Sequence, residues 1–272
     1  IKEQILMNKY GFIGLGSQGA PMAQQMIDKG LDVVLWARRP ESLEPFAKSK
    51  ATLTSDIQSL AKQVQFCGIC VVDDAGVQQV CSELIPAMPQ GGCIAIHSTI
   101  DPALCQKLAE DAKKNGLTLI DAPVSGGGEG AAAGTLTVMV GGDDQTVERV
   151  KPVFETFAGN IIHLGSVGAG QNAKLVNNSL MAANLAIAHH GIEAARQLGI
   201  DPDAFANLVK VSSGHSFSFN VRARMPEPKA FSHGARLLLK DVNLLGQTLG
   251  DDPNYTSVRN AAMPFLELAL EQ

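Results

Sequence analysis

From Lys9 to about Gly165 the chain alternates short apolar runs with longer segments that mix apolar and polar residues. Runs at 9–14, 32–37, 64–72, 93–96, 117–120, 135–140 and 161–164 predict strands, since apolar stretches of that length between turn residues suit buried strands. The intervening segments 20–29, 41–49, 55–62, 76–84, 102–115 and 144–157 read as helices. Asp101-Pro102 marks one helix start: an N-cap acid, then a proline whose missing N–H is not needed at the first position.

Near Gln171 the pattern changes. A stretch without proline and with one glycine, Gly191, runs to about Leu198. Ala, Leu, Met, Glu, Gln and Arg dominate it, and all favour helix. It predicts one helix of roughly 25 residues, about 38 Å at 1.5 Å per residue. Beyond it, Asp201-Pro202 starts a helix to about Val211, and 212–216 is a turn. Segment 231–249 reads as a helix with Leu237, Leu238, Leu244, Leu245 and Leu249 on its apolar side, and 256–270 as a last helix kinked at Pro264. Strand–helix alternation followed by helices alone predicts a doubly wound, mainly parallel α/β domain over 8–165. An all-α domain over 166–272 follows, joined to it by the long helix.

Composition narrows the picture. At 272 residues, 45% apolar and 18% charged, the chain suits two globular domains rather than disorder. A net charge of -5 gives no reason to expect nucleic acid, and no apolar run approaches the length that spans a membrane. The first six residues, Ile1 to Leu6, lack signal-peptide character and read as sequence upstream of a natural start at Met7. Five cysteines sit inside apolar runs, as in a reduced, cytoplasmic protein. Cys67 and Cys70 have CxxC spacing. On a strand, residues three apart face opposite ways, and no second Cys/His pair completes a zinc site, so no metal is expected.

The first strand runs straight into Gly14-Leu15-Gly16-Ser17-Gln18-Gly19, then a helix, then a second strand. G-x-G-x-x-G in that context, within about 30 residues, marks a Rossmann-type dinucleotide-binding unit. Gly14 permits the turn, Gly16 lets the pyrophosphate approach backbone, and Gly19 lets helix pack on strand. The helix N-terminus turns its free N–H groups to the phosphates. The second strand ends Ala37-Arg38-Arg39, without the acid that would bind an NAD ribose. Two arginines there can grip a 2′-phosphate, which favours NADP with NAD as the alternative; otherwise they are solvated charges before a helix. Strand C-terminal ends gather Val72/Asp73, Ser98/Thr99 and Asp121, the edge where α/β sheets bind ligands. His97 receives no role. Ser125-Gly126-Gly127-Gly128 reads either as an anion-binding nest or as a flexible glycine loop. Lys174 and Asn178, four apart, share one face of the long helix.

These motifs, in this order and spacing, resemble those of the β-hydroxyacid dehydrogenase family. It includes 3-hydroxyisobutyrate dehydrogenase, tartronate semialdehyde reductase and glyoxylate/succinic semialdehyde reductases. Phe12 to Ala23 looks like its dinucleotide signature, and Asp121-Ala-Pro-Val-Ser-Gly-Gly127 like its substrate loop. Gly168-Ala-Gly-Gln-Asn-Ala-Lys-Leu-Val-Asn-Asn178 looks like its catalytic motif, and Lys240-Asp241 like its late cofactor contact. The resemblance covers about residues 8–265 and departs from the family pattern at Gln18 and Ile96. It implies a helical domain like that of 6-phosphogluconate dehydrogenase, and reversible hydride transfer between NADP(H) and a short β-hydroxyacid or aldehyde acid. Lys174 would be the general acid/base and Asn178 would hold the substrate beside it. Ser125, Gly126 and Gly127 would bind the substrate carboxylate; Thr99 and Lys240 would join the loop Gly14 to Gly19, Arg38, Arg39, Val72 and Asp73 at the cofactor. Lys174 is expected at an exposed edge that adds little to a core, and two or four chains are expected to pack through helical domains that leave apolar faces to cover. Rival readings are an imine reductase on the same fold, which usually carries Asp or Tyr at the Lys174 position, a non-catalytic NADP-binding module, and a Rossmann methyltransferase.

The paired arginines generate the first test. Arg38→Ala is expected to weaken NADP(H) binding relative to NAD(H) by roughly 1–3 kcal/mol, the range for a charge-assisted contact. Equal affinity of the parent protein for NADH and NADPH by fluorescence titration would refute a 2′-phosphate role.

Overall fold

The structure, a computed structural model, describes residues 9–271. The expectation for the residues before Met7 lies outside them. The chain divides into two compact units at Lys174–Leu175.

The first unit opens with β1 (Tyr10–Ile13), α1 (Gly19–Asp28), β2 (Val33–Trp36), β3 (Thr52–Leu53), α2 (Ile57–Ala61), β4 (Phe66–Ile69), α3 (Asp74–Leu84), β5 (Cys93–Ile96), α4 (Pro102–Lys114) and β6 (Thr118–Asp121). These six strands form one parallel sheet in the order β3-β2-β1-β4-β5-β6. The order reverses direction at the β1/β4 neighbours, the crevice where doubly wound sheets bind ligands. Next come β7 (Val124–Ser125), α5 (Gly127–Ala133), β8 (Leu136–Val140), α6 (Asp144–Phe154) and β9 (Ala158–His163). β7, β8 and β9 make a second, three-stranded sheet, antiparallel then parallel, tied to β6 by a bridge from Asp121 to Gly141.

Strand alternation builds the two faces. Phe12, Leu35 and Phe66 point into a core with Met22 and Met26 of α1 and Val150 and Phe154 of α6. Their neighbours Ile13, Val34 and Cys67 point into a second core with α2, α3 and α4. A side-chain period of two makes that division unavoidable once both faces are covered. It also parts the CxxC pair: Cys67 lies in one core and Cys70 packs against the other.

Local differences from the sequence reading have local causes. Residues 41–49 are not an α-helix; Pro40–Phe46 is a 3-10 helix with Pro45 inside it, and a segment this short cannot offset the hydrogen bond and the clash that proline costs an α-helix, as the longer helix Pro253–Leu270 does at Pro264. Behind it lies the exposed two-residue edge strand β3, too short and polar to give a periodic signal. Residues after Ser125 are not a slack loop: Gly127–Ala133 is helical, and three glycines in seven residues hide that from propensity.

The second unit holds the body of α7 (Ala169–Gln197), then α8 (Pro202–Lys210), α9 (Phe217–Ala223), α10 (Ser232–Leu249) and α11 (Pro253–Leu270). At 29 residues α7 starts two residues before the expected Gln171. The short helix α9, capped by Ser216, went unread because its apolar residues Phe217, Phe219, Val221 and Ala223 recur every two positions and not at helical spacing. α11 begins at Pro253, with Asp252 accepting from the Asn254 and Tyr255 N–H groups, and continues through Pro264. On α10 the buried stripe is Ala235, Leu238, Val242 and Leu245; Leu237 and Leu249 are 43% and 45% exposed, so the five leucines do not share one face. The main core joins Leu185 of α7 to Leu238, Val242, Phe265 and Leu266.

His97 belongs to the first core. Its ring stacks on Phe12 with centroids 5.9 Å apart and meets Phe154 and Phe157 edge-on at 5.5 and 5.6 Å. Nδ1–H donates to the Ala122 carbonyl at 2.8 Å. Burial pushes its pKa from 6.5 down to about 4, because a charged imidazole has no water there. The unfolded chain therefore takes up a proton near pH 6.5 that the fold refuses until pH 4, and stability contributed above pH 6.5 is lost as pH falls through that window. Two and a half pH units correspond to about 3 kcal/mol. His97→Phe is expected to flatten the fall in denaturation midpoint between pH 7 and pH 4; an unchanged slope would place the acid sensitivity elsewhere.

Candidate active site

Helix starts in the first unit fall into two kinds. α2, α3, α4 and α6 each begin behind an aspartate, Asp56, Asp73, Asp101 or Asp143, whose carboxylate accepts a first-turn N–H. α1 has no side-chain cap at Gln18 and no acid in its first turn. Ala20 N–H donates to the Gly16 carbonyl at 3.0 Å and Pro21 has no N–H, so what this start offers an anion is the positive end of a helix with no side chain capping it and no carboxylate to repel a negative charge. The glycines before it sort in the same way. Gly14 has φ +96° and a Cβ on it would lie 2.1 Å from the Cys70 carbonyl oxygen. A Cβ on Gly19 would lie 1.9 Å from the Gly14 carbonyl oxygen. A Cβ on Gly16 would meet nothing within 4 Å. Two glycines are thus forced by the fold, and the third leaves an uncovered backbone, so this cradle fits a dinucleotide pyrophosphate.

The Ser-Gly loop lies against that cradle. Ser125 ends β7, and Gly126 and Gly127 follow with φ +130° and +64°, values that favour glycine. A Cβ on Gly128 would be 2.7 Å from the Ser17 carbonyl oxygen. Gln25 of α1 donates to the Ala132 carbonyl of α5 at 2.6 Å. Two motifs more than a hundred residues apart are therefore neighbours.

The start of α7 is fixed by Asp121, expected among the polar groups at the ligand-binding strand edge, and by Gln171, expected only as part of the catalytic motif. Asp121, fully buried at the end of β6, accepts from Gly168 N–H through Oδ1 and from Gln171 N–H through Oδ2, each at 2.7 Å. Burial raises its pKa, and the backbone hydrogen bonds oppose that rise. A Cβ on Gly170 would fall 2.3 Å from the Met139 carbonyl oxygen and 2.8 Å from Asp121 Oδ2. Gln171 donates through Nε2 to the Ser98 carbonyl at 2.8 Å and accepts through Oε1 from Ile100 N–H at 3.1 Å, straddling Thr99. Ser98 in turn accepts from Val71 N–H at 2.8 Å.

Lys174 follows one turn later and is 9% exposed. The expectation of an exposed-edge lysine is therefore wrong: most of its stem is covered by protein. In the second unit, Asn178 is buried and donates to Asp241 Oδ2 at 2.5 Å, and Lys240 lies 2.9 Å from the other oxygen of Asp241. Asp241 thus links two of the expected site residues. Of the rest, Arg38 is exposed, Arg39 pairs at 3.9 Å with Glu41, and Val72 is 74% exposed. Asp73 caps α3 through Gly76 N–H at 2.9 Å, which occupies one of its oxygens.

Residues 9–165 match the family described as the NAD binding domain of 6-phosphogluconate dehydrogenase, and 168–270 match the NAD-binding domain of NADP-dependent 3-hydroxyisobutyrate dehydrogenase. The chain belongs to the β-hydroxyacid dehydrogenase family. It is 38% identical to an uncharacterised oxidoreductase of Mycobacterium tuberculosis, over 97% of this chain and 91% of that one. It is 32% identical to the NAD-dependent L-serine dehydrogenase of Pseudomonas aeruginosa, over 98% and 93%. Among solved structures, the Mycobacterium tuberculosis 3-hydroxyisobutyrate dehydrogenase with L-serine superposes with TM-score 0.84 at 26% identity, covering 97% of this chain and 96% of that one. The chain is an oxidoreductase of this family and binds a nicotinamide dinucleotide.

Other chemistries find little support. No group of three or more His, Cys, Asp or Glu among the described residues could hold a metal ion. Burial pushes the Cys93 thiol up to about 11 and Cys70 and Cys81 up to about 12, so these sulfurs stay protonated. No helix among the described residues is long and apolar enough to cross a membrane.

The two kinds of glycine should separate in this β-hydroxyacid dehydrogenase. Gly19→Ala is expected to lower the stability of the coenzyme-free protein by about 1–3 kcal/mol, the usual cost of overpacking. Gly16→Ala should leave it within about 0.5 kcal/mol and weaken coenzyme binding instead. Denaturant melts and NAD(P)H titrations of both variants test this; matching stability losses would contradict the open cradle.

Proposed function

We propose that this β-hydroxyacid dehydrogenase interconverts a short 3-hydroxy acid and its oxo acid with NADP(H), and that Lys174 is the general acid/base. The supporting observation is Lys174 itself, a lysine only 9% exposed, one turn past a helix start held by Asp121 and Gln171. An ordinary surface lysine needs neither the cover nor the anchoring. L-Serine and 3-hydroxyisobutyrate are the compounds named for its relatives, and both present a hydroxyl β to a carboxylate. Arg38, exposed after a strand without a terminal acid, and the NADP-dependent description of the family matching 168–270 support NADP over NAD.

When bound, the nicotinamide accepts or supplies the hydride. The protein holds the reactants and moves the proton. Ser125 and the N–H groups of Gly126 and Gly127 hold the substrate carboxylate. Lys174, as the neutral amine, takes the hydroxyl proton while the carbon–oxygen double bond forms; in reverse, its ammonium returns that proton to the carbonyl oxygen. Asn178 orients the substrate from the same helix face. Residues 8–165 serve as the coenzyme domain in this reading, and 166–272 as the substrate and self-association domain of a homodimer or homotetramer.

Lys174→Ala is expected to lower kcat by roughly 10²–10⁴, the range for general acid–base catalysis, while NADPH affinity changes little. Lys174→Arg should fail as well, since guanidinium holds its proton. A panel of L-serine, 3-hydroxyisobutyrate, glyoxylate and succinic semialdehyde, assayed with both coenzymes, identifies the substrate. If Lys174→Ala keeps a third of the parent kcat while a primary deuterium isotope effect shows hydride transfer to be rate-limiting, the proton donor lies elsewhere.

A further inference from the structure

We infer that Asp121 and Gln171 are positioning residues that hold Lys174 in reacting geometry. The inference rests on the reading of Lys174 as the acid/base and adds to it two residues that need not touch substrate.

Gln171 lies three positions before Lys174, one turn down the same helix. Its amide spends both ends on the backbone around Thr99, donating to Ser98 and accepting from Ile100. Asp121 holds the same turn from the other side, through the N–H groups of Gly168 and Gln171. The first turn of α7 is thereby clamped to the C-terminal ends of β5 and β6, at the sheet edge that carries the phosphate loop. A helix start normally frays, with four N–H groups and no partners. Here, two of those groups meet a carboxylate supplied from about fifty residues away. The cost of burying that carboxylate, and the exclusion of any side chain at Gly141 and Gly170 beside it, is more than helix capping alone requires. Asp56, Asp101 and Asp143 cap their helices locally from the surface. What the buried arrangement adds is a fixed position and direction for the turn that precedes Lys174.

Gln171→Met keeps the length and removes both hydrogen bonds; Asp121→Asn keeps the shape but turns one acceptor into a donor facing an N–H. In the coenzyme-free protein, amide exchange over 168–174 should quicken at least tenfold in Gln171→Met, with other segments unchanged. Its kcat, with L-serine or 3-hydroxyisobutyrate, should fall roughly 10- to 100-fold, the scale of a misplaced catalytic group. The deuterium isotope effect should rise as chemistry slows. In a Lys174→Ala background the same change should alter kcat less than twofold, because nothing remains to position. A folded Gln171→Met enzyme with kcat within twofold of the parent overturns the inference, as does an equal loss with and without Lys174. If Gln171→Met does not fold, Asp121→Asn is judged by the same criteria. Lys174→Ala retaining activity would strike the acid/base reading, and with it this one. Lys174→Ala inactive beside a fully active Gln171→Met would strike the positioning inference alone.

Discussion

A carboxylate without solvent exposure must find its hydrogen-bond donors in the protein, and Asp121 finds them at the start of α7. Much of the first unit is arranged around that demand. β6 must end at Asp121 and not one residue earlier. Gly141 must be bare so that β8 can pass beside the carboxylate, and Gly170 must be bare so that the helix can approach it. The bridge from Asp121 to Gly141 couples the six-stranded sheet to the three-stranded one at the same point. One residue thus joins the two sheets through its backbone and the long helix through its side chain. Ionised hydrogen bonds contribute about 1.5–3 kcal/mol each, and desolvation offsets much of that. The arrangement is better explained by the geometry it enforces than by net stability.

The coenzyme cradle follows from the opposite choice. Where the other helices of the sheet spend an aspartate on their first-turn N–H groups, α1 spends none. A helix start with neither a side-chain cap nor an acid leaves its positive end uncompensated, which suits a diphosphate. Gly128 packed against Ser17 then places the Ser125 loop beside it. In the proposed reading, coenzyme and carboxylate would thus be bound by adjoining stretches of backbone, which suits a reaction needing two reactants held in register.

Lys174 is 9% exposed at the end of the clamped first turn of α7, so the fold around it is fixed on the side of the helix start. Further along, Asp241, expected only as the neighbour of Lys240 in the late cofactor contact, accepts from Asn178 and stands against Lys240.

The sequence by itself determined the elements and the chemistry available. Short apolar runs between turn residues, helix starts at Asp101-Pro102 and Asp201-Pro202, and G-x-G-x-x-G between strand and helix are local signals, written by neighbours a few residues apart. They were enough for the Rossmann-type unit, the long helix and the family. Local signals failed where composition masked conformation: three glycines in α5, Pro45 in the 3-10 helix, the short α9, and leucines of α10 spread over more than one face. They were also silent on every partnership across long separations. Nothing near Asp121 in the chain says that it caps a helix starting at Ala169, or that Gln171 reaches the backbone around Thr99. The sequence put the domain boundary at 165/166, while the compact units divide at Lys174–Leu175, because the first turn of α7 is hydrogen-bonded into the first unit. Hydrogen bonds and burial of this kind depend on which strands become neighbours, and only the folded sheet decides that.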